Sequence, residues 1–393
     1  VGSENDTLEK WRLNWDTLTW RKTSDNWFTQ HRAMRQQRQH ERKRIDRRAF
    51  GQETWGASKT HLRQTTREDV LKKYNLPVLR SELDLAHWLE ISLPRLRWFT
   101  HDKAADAVWH YVKYTIPKRS GGQRVILAPK RELKALQRKI LDEILAKVPA
   151  SESAHGFITG RSVVTNARPH VGKEVVLNLD LKDFFPTVTF PRVRGIFLFL
   201  GYSFSVASVL ALLCTEHDRE AYNDGERACF VSIGPRALVQ GAPTSPALAN
   251  LAAYKLDRKL AALARRVKCV YTRYADDLTF SSDRFNTVLY LLDKATQIIT
   301  EQGFTVNTKK THIQRRSAAQ RVTGIVVNDR ANVPRKVRRQ MRAILHNAGK
   351  TSLESQNRDG HEDFRAYLQG MIGFIHEANP EQAQPLKARL ERL

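Results

Sequence analysis

The chain has 393 residues, 41% of them hydrophobic, enough to bury sizeable cores in one large or several smaller domains. Its 66 Lys and Arg against 41 Asp and Glu leave a net charge of +25, which points to a polyanionic partner, nucleic acid first. There is no run of about 18 apolar residues, no basic amphipathic helix with an aromatic face and no secretory pattern, and three cysteines (Cys214, Cys229, Cys269) lack C-x-x-C spacing, so a membrane span, a disulfide framework and a zinc site are not expected. A cytoplasmic protein without membrane contact is the expectation.

Residues 1–77 form a basic extension holding Trp11, Trp15, Trp20, Trp27 and Trp55. Within it Arg32, Arg35, Arg38 and Arg42 recur at three- and four-residue spacing, which predicts a helix with a basic stripe for nucleic acid or a partner. From about residue 78 the pattern becomes globular. "ELDLAHWLEISLPRLRWF" predicts a helix and a second short one after Pro94, and "YTIPKRSGGQRVILAPK" predicts a hairpin turning at Gly121-Gly122. "RELKALQRKILDEILAKV" places Leu133, Leu136, Ile140, Ile144 and Val148 on one helical face. "EVVLNLDLKDFF" reads as a strand ending near Asp180. "TSPALANLAAYKLDRKLAALARR" reads as one helix, with Ser245 at the N-cap and Pro246 at the first helical position. Residues 270–281 predict a hairpin around Asp276 and Asp277, and "PRKVRRQMRAILHNAGK" predicts a basic amphipathic helix with Val337, Met341, Ile344 and Leu345 on its apolar face.

Asp276 and Asp277 pose the chemical question. Two like charges in a tight strand turn repel one another unless a cation sits there. Hard divalent cations take carboxylate, water and phosphate oxygens, and a pair of such ions can activate an attacking hydroxyl and stabilise a leaving oxygen in phosphoryl transfer. Asp180, at the end of another strand, offers a third carboxylate. Tyr-x-Asp-Asp alone is a weak signal, since an Asp-Asp turn is often only solvated.

The ordered set of motifs is more specific. "IPKRSGGQRVILAP", "HGFITGRS", "LNLDLKDFF", "QGAPTSPALANL", "YADD" and "GFTVNTKKT" follow one another as in the reverse transcriptases, and the chain resembles that family over about residues 78–375. "NARPH" (Asn166–His170) and "VTG" (Val322–Gly324) are similar to the marks of the retron class. The resemblance implies an α+β right-hand polymerase. Its fingers would span 78–175, its antiparallel-sheet palm 176–320 with fingers elements interleaved, and its small helical thumb 321–393. It implies that Asp180, Asp276 and Asp277 hold two Mg²⁺ ions, with Mn²⁺ an alternative. Lys310 would protonate the departing pyrophosphate, with Lys309 as its rival. Lys118 and Arg124 would grip the dNTP triphosphate, Phe185 would exclude a 2′-OH, and Gln240 and Gly241 would lie against template and sugar. Asn166, His170, Val322, Thr323 and Gly324 would contact the RNA, and Arg335, Arg338, Arg339 and Arg342 would lie along the RNA–DNA duplex.

The retron resemblance further implies a cognate non-coding RNA primed from an internal 2′-OH, a branched DNA product (msDNA), an effector protein and a role in anti-phage defence. About 70 residues follow the Val-Thr-Gly triplet, room for a thumb and little else, so removal of template RNA would fall to a host ribonuclease H. An intron-type or diversity-generating reverse transcriptase, and a non-catalytic RNA-binding scaffold, are the alternatives from the sequence.

Overall fold

The computed structural model describes residues 65–101, 105–118, 121–223 and 228–393, together with the backbone of two short paired strands, Trp11–Asn14 and Thr19–Lys22. The basic helix expected around Arg32–Arg42 lies outside the described residues. The chain divides into two compact units, one comprising 1–148, 185–248 and 301–303, the other 149–184, 249–300 and 304–393. Among the described residues no helix is long and apolar enough to cross a membrane.

In the first unit the expected local signals act as physical chemistry requires. Ser81 caps the helix Glu82–Trp88 in a reciprocal capping box with Asp84, and Ser92 caps Leu93–Thr100, where Pro94 sits in the first turn with no amide lost to the helix. Strands Tyr111–Pro117 and Gln123–Pro129 pair from Tyr111 opposite Pro129 to Pro117 opposite Gln123. Their turn uses Gly121 and Gly122 at φ of 86° and 80°, a region that side chains rarely tolerate. The helix Arg131–Glu143 buries Leu133, Leu136 and Ile140 as expected, but stops before Ile144, and a 3₁₀ turn, Leu145–Lys147, follows. Ile144 is still buried, so the apolar spacing marked the core contact and not the helix end.

The second unit is built on a four-stranded antiparallel sheet, ordered His312–Arg315, Val175–Asp180, Asp277–Ser282, Val270–Tyr274. Strand Val175–Asp180 is central, and Val175, Val176, Leu177 and Leu179 are all buried, so both of its faces are covered. The predicted single helix after Ser245 is two, Ser245–Ala252 and Tyr254–Arg266. Ser245 lies inside the first of them, and its buried hydroxyl makes no hydrogen bond, so it is not the cap that the sequence suggested. Tyr254–Arg266 turns Leu256, Asp257, Leu260 and Leu263 inward. The C-terminal helices Arg335–Ala348, Phe364–Ala378 and Pro380–Glu391 share one core, in which Met341, Leu345, Leu368, Ile372 and Leu386 pack with Val164, Val176 and Val322. Mixed helices and antiparallel sheet make the chain α+β.

Candidate active site

Strand register brings the acids together. Asp277 is the residue directly opposite Asp180 on adjacent antiparallel strands, where facing side chains lie about 5 Å apart at Cβ. The next amide ties the same two segments, with Leu181 N donating to Asp276 O at 2.9 Å. Burial, and then the neighbouring Asp276 and Asp180, push the Asp277 carboxyl up to about 6, partly offset by Lys310.

Asp180 itself is buried and fully engaged. Lys310 Nζ donates to its Oδ1 at 2.8 Å, and Asn307 Nδ2 donates to its Oδ2 at 3.0 Å. The Asn307 amide also donates to Asp180 O at 2.8 Å, so one residue holds both the backbone and the carboxylate of this acid. Asn307 was not singled out from the sequence. Its signal was present in "VNTKK", three residues before the lysine, a spacing that puts both side chains on one face of the short turn Thr308–Lys310. Lys310 is held protonated by that bond and by the three acids, whereas Lys309 is exposed.

The residues expected to bind nucleotide lie in the first unit. Lys118 and Arg124 are exposed at the end of the glycine-turned hairpin, where long cationic side chains are free to reach a phosphate. Gln240 O accepts from Leu127 N at 2.8 Å, which fastens the Gln-Gly-x-Pro segment to that hairpin. Gly241 has φ of 118°, and a Cβ there would stand 2.8 Å from Leu127 O and 2.9 Å from Ile126, so only glycine fits this approach. Phe185, in the short helix Phe184–Thr187, is half-buried, with part of its ring surface accessible.

Comparison with known proteins is decisive here. The model of the family "Reverse transcriptase (RNA-dependent DNA polymerase)" matches residues 116–327. The Retron Mx65 reverse transcriptase of Myxococcus xanthus is 48% identical over 322 residues, covering 82% of this chain and 74% of that one. The chain belongs to the retron reverse transcriptases. The Retron Mx162 enzyme of the same organism is 42% identical over 345 residues (83% of this chain, 70% of the relative), and the Retron Ec86 enzyme of Escherichia coli 36% over 287 residues (72% and 83%). This reverse transcriptase is therefore an RNA-directed DNA polymerase, and the intron-type, diversity-generating and scaffold alternatives are set aside.

Enzymes of this family use divalent metal ions. Among the described residues no group of three His, Cys, Asp or Glu side chains is arranged to hold a metal ion, and the Asp180 carboxylate accepts from Lys310 and Asn307. The donor set nonetheless suits a hard cation: the acids are all oxygen ligands, and burial, then the neighbouring Asp276 and Asp180, disfavours the charged form of Asp277 that a cation would stabilise.

Three residues expected to touch RNA do not reach the surface of this reverse transcriptase. Asn166, His170 and Val322 are each 0% exposed. His170 bridges two strands of the sheet, with Nδ1 2.7 Å from Ser281 Oγ and Nε2 2.8 Å from Thr272 Oγ1. Burial holds its imidazole neutral, with its pKa lowered to about 3. Val322 packs into the C-terminal helical core, Thr323 Oγ1 donates to Val163 O at 3.0 Å, and Asn166 Nδ2 donates to Thr323 Oγ1 at 3.4 Å, so the two retron-type motifs meet at one internal joint. Gly324 is exposed, at φ of 85°. On the basic helix Arg335, Arg339 and Arg342 are exposed, but Arg338 is half-buried, donating to Val333 O at 3.0 Å and to Gln382 Oε1. Its guanidinium stitches the C-terminal helices together instead of facing a duplex.

Proposed function

We propose that this enzyme copies a cognate structured non-coding RNA into single-stranded DNA that stays joined to the RNA by a branch, starting from an internal 2′-OH. The observation that supports this most directly is the pairing of Asp180 with the Asp276-Asp277 turn, in a chain 48% identical to a retron reverse transcriptase. Asp180, Asp276 and Asp277 would hold two Mg²⁺ ions, Mn²⁺ serving as a substitute, and these ions when bound would activate the primer hydroxyl and stabilise charge on the phosphoryl group. Asn307 orients the Asp180 carboxylate, and Lys310, held protonated beside it, would deliver a proton to the departing pyrophosphate. Arg124 and Lys118 carry the positive charge that meets the dNTP triphosphate, Gln240 and Gly241 shape the approach to template and sugar, and Phe185 supplies an apolar ring against a 2′-OH. Thr323 and Gly324 keep enough exposed surface for RNA contact, and Arg335, Arg339 and Arg342 give phosphate contacts along the duplex. The domain assignment that goes with this reading is fingers over 78–175, palm over 176–320 and thumb over 321–393.

The wider setting follows from the same reading: a cytoplasmic complex of enzyme, RNA and msDNA, template RNA trimmed by a host ribonuclease H, and an effector protein through which the complex acts in anti-phage defence. The test is to isolate the protein with its bound nucleic acid from cells carrying the adjacent non-coding RNA, then treat that material with ribonuclease and with a debranching enzyme. A discrete DNA linked 2′–5′ to RNA, absent from the Asp276→Ala/Asp277→Ala variant, is the expected result. Extension of an added primer with no branched species would overturn the priming claim.

A further inference from the structure

The catalytic turn contains a strained residue. Ala275, between Tyr274 and the two acids, has φ of 55°, a left-handed conformation that costs a residue with a Cβ about 1 kcal/mol. Something must hold it there.

Two residues earlier, Arg273 is the largest fully buried side chain among the described residues. Its guanidinium does not face solvent or nucleic acid. Nε and Nη2 form a two-pronged pair with Asp257, at 2.8 and 2.7 Å, and Tyr271 OH donates to the same carboxylate at 2.9 Å. Nη1 is shared between Asn250 Oδ1 at 3.0 Å and the carbonyl of Ala275 at 2.9 Å. A buried ion pair is weak evidence for stability, because desolvation offsets its attraction. What it supplies here is a rigid fork whose remaining prong is aimed at the backbone of the catalytic turn.

The turn is also held from its other side. Arg273 N donates to Ser153 O at 2.7 Å, and His155 N donates to Arg273 O at 2.7 Å. The loop that makes these bonds wraps the Arg161 guanidinium, which donates to the carbonyls of Ser151, Glu152 and Ala154. Asn250 Nδ2 reaches across to Gly156 O at 2.9 Å. At Gly156 a Cβ would lie 2.7 Å from Ala275 N, so the loop backbone rests directly on the strained residue.

We propose that Arg273, Asp257 and Asn250, with Gly156 pressing from the opposite side, are positioning residues that fix Ala275 in its left-handed conformation and so set where the Asp276 and Asp277 carboxylates stand. The inference rests on the reading of those two acids as the catalytic pair. All four are buried, and they act through the backbone of the turn.

The experiment measures single-nucleotide addition of dTTP on a poly(rA)–oligo(dT) duplex by the full chain and its variants. Arg273→Lys keeps the charge but loses the fork, and Gly156→Ala keeps every hydrogen bond but pushes on Ala275 N. Each should lower kcat on the order of 10²-fold, with KM for dTTP and duplex Kd within about twofold, because misplacing reacting groups by about 1 Å costs this much without weakening binding. Glycine adopts the left-handed region freely, so adding Ala275→Gly to Arg273→Lys should restore at least about tenfold of kcat.

A folded Arg273→Lys enzyme with wild-type kcat overturns the proposal, and so does a loss that Ala275→Gly leaves untouched. If Arg273→Lys does not fold by circular dichroism, wild-type kcat in folded Gly156→Ala overturns it. Asp276→Asn and Asp277→Asn, run alongside, separate the two claims. Activity in those variants overturns the catalytic reading, whereas their inactivity beside a fully active Arg273→Lys overturns the positioning role only.

Discussion

Lys310 Nζ stands 2.8 Å from Asp180 Oδ1, so a tethered ammonium sits where three carboxylates call for positive charge. Half of the lysine side chain, 51%, is exposed, while that of Asp180 is nearly all covered, at 8%. The pair is thus open on the lysine side, and the ammonium can swing away at the cost of one charge-assisted hydrogen bond. On the proposed reading, in which Asp180 ligates an ion, Lys310 competes with that ion for the same carboxylate charge. Lys310→Met removes this competitor. The metal concentration giving half of the maximal rise in thermal midpoint should therefore fall several-fold, and kcat should drop by 10²–10⁴-fold if the lysine also serves as the acid, in line with about what such groups contribute. Thermal shift against MgCl₂, together with single-turnover rates, checks both; an unchanged metal dependence would refute the competition.

Asp277 gives a pH prediction of definite sign. Its folded pKa, pushed up to about 6, lies above the ordinary carboxylate value, so between roughly pH 4 and 6 the folded chain binds more protons than the unfolded one. In the metal-free protein this group makes stability decline as pH rises through that window, and the penalty is complete above it. Asp277 retains an exposed surface, so water screens part of the effect. Ion binding needs the ionised form and runs the other way: Mg²⁺ affinity should weaken as pH falls below about 6. Calorimetric titration with MgCl₂ at pH 5.5 and 7.5 is the check, and Asp277→Asn should flatten the metal-free stability profile in this window.

His170 has the opposite dependence. Its folded pKa, lowered to about 3 by burial, lies below the unfolded value near 6.5, so its contribution is complete above that value and lost as pH falls. By pH 5 the loss should reach about 2 kcal/mol. His155, half-buried beside Arg161 with its pKa lowered to about 4, adds to the same slope. His170→Ala should cost about 2–4 kcal/mol, since it opens a hole and leaves the Thr272 and Ser281 hydroxyls without their partner. Urea unfolding at pH 5 and 7 reads both effects. A His170→Ala protein of full stability that had lost RNA binding would restore the surface-contact role that its burial argues against.

These histidines show where the sequence was legible and where it was not. Hairpin turns, strand identities and the apolar face of the basic helix are local properties, set by glycine conformation and periodicity, and the structure shows them where the spacing places them. Asp180 and the Asp-Asp turn could be paired in advance because strand ends recur at a fixed place in the motif order. Burial is a tertiary property. "NARPH" carries polar side chains that read as surface, yet His170 is satisfied by two hydroxyls from strands more than a hundred residues away. Arg273 reads equally well as one more cation of a basic chain, because nothing in "TRYADD" shows that Asp257, sixteen residues earlier, turns its carboxylate inward. Arg338 reads like its neighbours for the same reason: its helical spacing matches theirs, and its bonds to Val333 O and Gln382 set it apart.

That difference can be measured on the basic helix. Arg339 and Arg342 are exposed, and an arginine that neutralises a phosphate releases a counterion, so each Ala substitution should reduce the slope of log K against log salt by about one. Arg338→Ala should leave that slope unchanged. It removes the donor to Val333 O and the link to Gln382, and should instead lower the unfolding free energy by about 1–3 kcal/mol, the cost of a buried acceptor left without its bond. Duplex binding by fluorescence anisotropy between 50 and 300 mM salt, read beside urea unfolding, separates the two arginine classes. A slope that falls with Arg338→Ala as much as with Arg339→Ala would place all four arginines on the nucleic acid after all, with the Gln382 contact giving way when duplex binds.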